Sequence, residues 1–227
     1  MARPEAARHP HGGERVLMGG APLETAAGAL IAIHGRGAGA EDIMALAREI
    51  APPTVTILAP QAAGNTWYPY AFLEPTERNE PYLSSALRIV ADLIAQVDEH
   101  DISPERVALV GFSQGACLAL EAAARNARRY AGVIGLSGGL IGPPGTSFDF
   151  AGSLDGTPVF LGCSDVDPHI PKERVEESAA ALDRLGAAVD LRLYPGMSHT
   201  VNRDELEAAR TILDEAFGPS QGDGVMG

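Results

Sequence analysis

The sequence predicts an α/β protein in which a mostly parallel central sheet carries helices on both faces. Three observations lead there. Short runs of Val, Ile and Leu alternate with longer stretches whose apolar residues recur at three and four, and such alternation gives parallel strands because each parallel pair needs a crossover connection. The runs are apolar almost throughout, as strands buried on both sides require. Gly and Pro cluster between these units, which is where a chain changes direction.

Taken in order, the first strand is expected over residues 29–33 and the first helix over 41–50, ended by Pro52-Pro53. A strand at 55–58 comes next. Residues 61–82 show no period, and helical spacing resumes over 84–98. Ser103-Pro104 leads into a strand at 107–110, which feeds a helix at 114–126. A strand at 132–136 precedes a second irregular stretch, 137–157, built around Gly142-Pro143-Pro144-Gly145. The last units are a strand at 158–161, a helix at 172–185 stopped by Gly186, a strand at 189–193 and a helix at 204–217.

The chain has 227 residues, 45% of them hydrophobic and 21% charged, which suits a globular domain with a sizeable core. Residues 14–217 are expected to form one domain, with a flexible N-terminal tail at 1–13 and a disordered, Gly-rich C-terminal tail at 218–227. A formal net charge of -13 repels phosphate backbones and anionic headgroups, so neither nucleic acid nor stable membrane association is expected. Two cysteines are too few for a disulfide scaffold or a thiolate metal site. With no apolar leader segment, a cytoplasmic location is expected.

The run Gly111-Phe112-Ser113-Gln114-Gly115 has a strand before it and a helix after it. That context makes a nucleophile elbow, a sharp turn that lifts the serine hydroxyl above the sheet edge and places it at a helix N-terminus. A second match, Gly135-Leu136-Ser137-Gly138-Gly139, is followed by Leu140-Ile141 and a Gly/Pro loop. It lacks the helix and is read as structural.

A serine nucleophile needs a general base, and histidine titrates nearest to neutral pH. Of six histidines, His9 and His11 fall in the expected tail, His34 precedes the serine, and His100 ends a charged helix. His199 follows the last strand and fits the order Ser, acid, His of doubly wound hydrolases. The acid should lie after the strand at 158–161, where Asp165 and Asp167 compete. His169, beside both, is either a substrate contact or a loop residue. An oxyanion hole needs two backbone N–H groups. Gln114, next after the nucleophile, and Arg36, in the glycine-rich loop His34-Gly35-Arg36-Gly37, are the candidates.

Leu30-Ile31-Ala32-Ile33-His34-Gly35-Arg36-Gly37, Ala59-Pro60-Gln61, Thr66-Trp67-Tyr68-Pro69, the run around Ser113, and Ser198-His199 together resemble the phospholipase/carboxylesterase family of α/β-hydrolases. That family includes bacterial carboxylesterases and acyl-protein thioesterases, and the resemblance covers about residues 28–217. It implies an α/β-hydrolase fold with a sheet of about seven strands and no large cap domain. It also implies a Ser-Asp-His triad, hydrolysis of carboxylic or thiol esters, and no metal or other cofactor. In the family's acid loop one aspartate serves Gly-x-x-Asp-Pro-x-x-Pro. Here Asp165 keeps the distance from Gly162 and Asp167 the distance to Pro171, and the Asp167-Pro168 pairing selects Asp167. Gly35-Arg36-Gly37-Ala38 replaces the Gly-Leu-Gly-Asp usual in the thioesterases and points away from acyl-protein substrates.

Trp67, Tyr68, Tyr70 and Phe72 crowd one irregular loop. Such loops line the ligand crevice at strand C-termini, so these four are read either as a wall for an apolar acyl or aryl group or as a satellite core. The expected function is a serine carboxylesterase acting on small-molecule esters through an acyl-enzyme on Ser113. Thioesterase or lysophospholipase action on longer chains, and an inactive binding relative, are the alternatives. A homodimer is compatible with the sequence.

Overall fold

The apolar runs pair into one seven-stranded sheet in a computed structural model that describes residues 9–218. In chain order the strands are β1 (Val16–Gly20), β2 (Gly28–Ile33), β3 (Val55–Pro60), β4 (Val107–Phe112), β5 (Gly132–Leu136), β6 (Pro158–Ser164) and β7 (Ala188–Tyr194). The helices are α1 (Ala40–Ile50), α2 (Tyr82–Asp98), α3 (Gln114–Arg125), α4 (Lys172–Arg184) and α5 (Arg203–Phe217). Spatial order is β1-β3-β2-β4-β5-β6-β7, parallel throughout except that β1 runs antiparallel to β3.

Every strand and helix expected from the sequence is present, and β1 is the addition. Its alternate residues face solvent, Met18 being 52% exposed. As a short edge strand with two glycines it offers little of the apolar signal that marks its buried neighbours.

Alternation along each strand divides the core between the two faces of the sheet. Ala29, Ile31 and Ile33 of β2 belong to the core on the face covered by α2, α3 and α4, while Leu30 and Ala32 belong to the core on the face covered by α1 and α5. Each such buried Leu or Ile side chain contributes about 1.5–3 kcal/mol relative to exposure. The irregular residues 137–157 add no helix or strand, so no large cap covers the sheet. Among the described residues no helix is long and apolar enough to cross a membrane.

The strand order reverses at β2. From β2 the chain passes through α1 to β3 on one side, and then returns to place β4 on the other. A crevice opens outside the C-terminal ends of the two strands that flank such a reversal. The loop after β2 holds His34 to Gly39, and the turn after β4 is Ser113.

Residues 1–8 and 219–227, most of the two expected tails, lie outside the described residues. The part of the N-terminal tail that is described is packed rather than free: His11 is fully buried, with a ring nitrogen 2.9 Å from the Trp67 carbonyl. Its other ring nitrogen accepts the Ala63 N–H at 3.1 Å. The packed domain therefore begins before residue 14, because the tail's polar residues find partners in the irregular loop after β3.

Candidate active site

Ser113 links β4 to α3 with φ 56 and ψ -118, a backbone conformation that strains a residue bearing a side chain. The Ser113 N–H donates to the Leu136 carbonyl at 2.9 Å, and its carbonyl accepts the Cys117 N–H, the first bond of the helix. Gly111 and Gly115 make the turn possible. A Cβ at Gly111 would stand 2.2 Å from the Gly115 carbonyl oxygen, and one at Gly115 would stand 2.0 Å from that of Ile33.

His199, in the loop after β7, places Nε2 2.9 Å from Ser113 Oγ and Nδ1 2.6 Å from Asp167 Oδ2. The Asp167 side chain has no solvent-accessible surface. Burial alone would raise its carboxyl. The His199 hydrogen bond and the backbone N–H groups of His169 and Ile170, at 2.8 and 3.0 Å from Oδ1, outweigh that and hold it below the ordinary carboxylate range. It is thus an anion at neutral pH that fixes the imidazole with Nδ1 protonated and leaves Nε2 to accept from the serine.

Asp165 does not approach the imidazole. Its Oδ1 accepts the Gly196 N–H at 2.8 Å, and its own N–H donates to the Tyr194 carbonyl. The acid loop thus divides two tasks between its two aspartates: Asp165 braces the loop that carries His199, and Asp167 contacts the ring.

His34 is buried between the β2 loop and the loop after β3. Because its Nε2 accepts the Ala62 N–H at 3.1 Å, its proton resides on Nδ1 and is donated to the Gly35 carbonyl at 2.8 Å. Burial lowers its pKa, consistent with a neutral ring. The His34 carbonyl accepts the Trp67 indole N–H. The residue therefore ties the loop after β2 to the loop after β3 and makes no hydrogen bond to Ser113.

The backbone N–H groups of Arg36 and Gln114 donate to no acceptor among the described residues, and both residues line the cavity beside Ser113. Their side chains were not given a task by the sequence reading, yet both hold the aromatic loop. Gln114 accepts the Trp67 N–H at 2.8 Å and donates to the Tyr68 carbonyl at 2.8 Å. The Arg36 guanidinium donates to the carbonyls of Tyr68, Pro69 and Tyr70 at 2.9, 2.9 and 2.7 Å.

The cavity measures about 400 Å³. The four expected aromatics separate: Tyr68 and Phe72 line it, whereas Trp67 is wholly buried against His34 and His11, and Tyr70 is 46% exposed beneath the Arg78 guanidinium. A loop residue's side cannot be read from composition, and the indole N–H draws Trp67 inward to the His34 carbonyl. The apolar wall is completed by Ala71, Phe112, Cys117 and Ile170. Phe112 and Ile170 carried a usable signal, being apolar neighbours of Ser113 and His169. His169 lines the same cavity, edge-on to His199 at 4.9 Å between ring centroids.

Ser137 repeats the strained turn with φ 53, but it is fully buried and its hydroxyl has no partner among the described residues. No histidine hydrogen-bonds it. Among the described residues no cluster of three or more His, Cys, Asp or Glu is placed to hold a metal ion.

The sequence model of a family described as Phospholipase/Carboxylesterase matches residues 20–216. A phospholipase/carboxylesterase from Dyadobacter fermentans is 41% identical, with a TM-score of 0.85 over 88% of this chain and 96% of that one. Esterase PE8 is 28% identical, with a TM-score of 0.75 over 89% and 99% of the two chains. The Gibberella zeae protein "Acyl-protein thioesterase 1" is 35% identical over 131 residues, 56% of this chain and 55% of that one. The chain thus spans about half the length of that curated relative.

Proposed function

The chain belongs to the phospholipase/carboxylesterase family, and on that premise we propose that it is a serine hydrolase cleaving small carboxylic esters through an acyl-enzyme on Ser113. The observation that carries this reading is the continuous chain of contacts from Ser113 Oγ to His199 to Asp167, at 2.9 and 2.6 Å, opening onto an apolar cavity. In this reading His199 takes the serine proton as Oγ attacks the ester carbonyl. The backbone N–H groups of Arg36 and Gln114 receive the developing oxyanion, and Asp167 stabilises the imidazolium. The imidazolium then protonates the departing alcohol, and water admitted to the same position releases the acid.

Ser113→Ala tests it. The variant should stay folded and lose p-nitrophenyl acetate hydrolysis by at least about 10³-fold, together with labelling by a fluorophosphonate. Retained turnover would overturn the proposal, and a wild-type protein that takes no label would favour a non-catalytic binding relative.

A thioester-cleaving activity is the second reading, favoured by the thioesterase relative. Matched oxygen and thiol esters of one acyl group distinguish the two by their kcat/KM.

A further inference from the structure

Two cavities meet at the His199 imidazole. The larger, described above, contains Ser113 and Gln114; the smaller, about 310 Å³, lies over α1 and contains neither. Ile43 and Leu46 of α1, Phe112 and Val201 form its apolar walls, Asp42, His34 and Thr200 are its other polar lining, and Gly35, Ala38, Phe112 and His199 are common to both. Resting on the esterase reading above, we infer that the α1 cavity receives the alcohol portion of the ester, and that it takes an uncharged alcohol with an apolar body.

The assignment follows from what each half of the substrate must touch. During acyl transfer the Oγ–C bond forms and the bond from carbonyl carbon to alcohol oxygen breaks, while the Oγ proton passes through His199 Nε2 to the departing oxygen. Water then supplies hydroxyl to the carbonyl carbon, and its other proton returns through Nε2 to Oγ. The acyl half stays bonded to Ser113 between these steps, so its cavity must contain Ser113 and an oxyanion donor next to it. Only the larger one does. The alcohol half must bring its oxygen to His199 and need touch neither Ser113 nor Gln114, which is what the α1 cavity offers.

The lining sets the chemical class. Ile43, Leu46, Phe112 and Val201 give an apolar wall, with Leu46 and Val201 only partly buried and so open to an occupant. Asp42 supplies a carboxylate, oriented by the Gly39 N–H at 2.8 Å from Oδ2. None of the described lining residues is Arg or Lys. An anionic alcohol, such as one bearing a phosphate, would bring its charge to a carboxylate in a cavity whose lining has no Arg or Lys to offset it.

Hexyl acetate and ethyl hexanoate are isomers whose six-carbon chain lies on opposite sides of the ester, so they test the assignment at equal hydrophobicity. Leu46→Trp and, from the facing wall, Val201→Trp narrow the α1 cavity. Each should lower the ratio of kcat/KM for hexyl acetate to that for ethyl hexanoate by about 10-fold. Ile170→Trp, in the larger cavity, should raise it. A ratio left unchanged or raised by both α1-side variants overturns the inference, as does a fall caused by Ile170→Trp. If the wild-type protein cleaves neither isomer, the esterase reading itself has failed. For the charge, acetate esters of 6-hydroxyhexanoate should be cleaved about 10-fold more slowly than hexyl acetate, with Asp42→Asn narrowing the gap; equal rates in the wild type would overturn the uncharged class.

Discussion

The Asp165 carboxylate accepts the Gly196 N–H at 2.8 Å, three residues before the histidine that Asp167 contacts. One loop thus supports the imidazole twice, once through its ring and once through the backbone that presents it.

The two aspartates should therefore separate on substitution. Asp167→Asn leaves the shape intact but presents an amide to Nδ1, favouring the wrong tautomer, and kcat on p-nitrophenyl acetate should fall about 10³–10⁴-fold. Asp165→Asn keeps an acceptor for Gly196 and should stay within about threefold of wild type, whereas Asp165→Ala removes the brace and costs about 1 kcal/mol in urea unfolding. A greater loss of kcat from Asp165→Asn than from Asp167→Asn would reverse the assignment.

Gly115→Ala should be among the most damaging single-methyl changes in the molecule. The new Cβ would meet the Ile33 backbone carbonyl oxygen at 2.0 Å, at the C-terminal end of β2, with no flexible side chain to yield. A loss of at least about 3 kcal/mol in urea unfolding is expected. Gly135→Ala is the comparison: its nearest contact is a terminal carbon of the Leu120 side chain at 2.9 Å, which can move aside.

Arg36→Met keeps the backbone N–H proposed for the oxyanion but releases the carbonyls of Tyr68, Pro69 and Tyr70. The expected result in steady-state kinetics is a KM increase of about 10-fold with kcat within about threefold, since substrate binding loses its wall while the chemistry keeps its donors. A loss confined to kcat would show that the guanidinium serves the reaction itself.

Glu205 gives the fold a pH dependence of its own. Burial, with a smaller push from Asp204, raises its carboxyl from 4.5 to about 7 against the lowering effect of the Asn202 N–H. Between those values the folded protein holds a proton that the unfolded chain has released, so stability is full at acid pH and declines as pH rises through 7. Oε1 has no partner among the described residues, while Oε2 accepts the N–H of Asn202, the residue whose side chain caps α5. Glu205→Gln should remove that decline and raise Tm at pH 8 by roughly 5 °C, with a smaller change at pH 5.

Most of the fold was legible because parallel strands buried on both faces leave an unbroken apolar run, and crossover helices leave a three-and-four period. Edge strand β1 left neither. Ser113 and His199 were legible from strand context and chain order. Asp167 rested on its neighbour Pro168, since spacing alone admitted Asp165 equally. What stayed hidden were tasks carried by side chains toward backbone: the Gln114 amide and the Arg36 guanidinium on the aromatic loop, and Trp67 turned to the His34 carbonyl. Such bonds depend on which loops meet, and no periodicity records that. Ser137 shows the converse: its strained turn matches Ser113 in φ, yet without exposure and a base the backbone geometry confers no chemistry.

Ala62 and Ala63, successive residues at the foot of the pocket loop, donate their N–H groups to ring nitrogens of two different histidines, His34 and His11. A ring nitrogen accepts only while it is unprotonated, and burial lowers the pKa of both rings. Acidification through and below the ordinary histidine range must therefore work against this pair together, loosening one short stretch from two sides at once. That stretch leads into the loop whose Tyr68 and Phe72 line the cavity, so acid acts on the substrate wall itself, and the distortion should reverse on neutralisation.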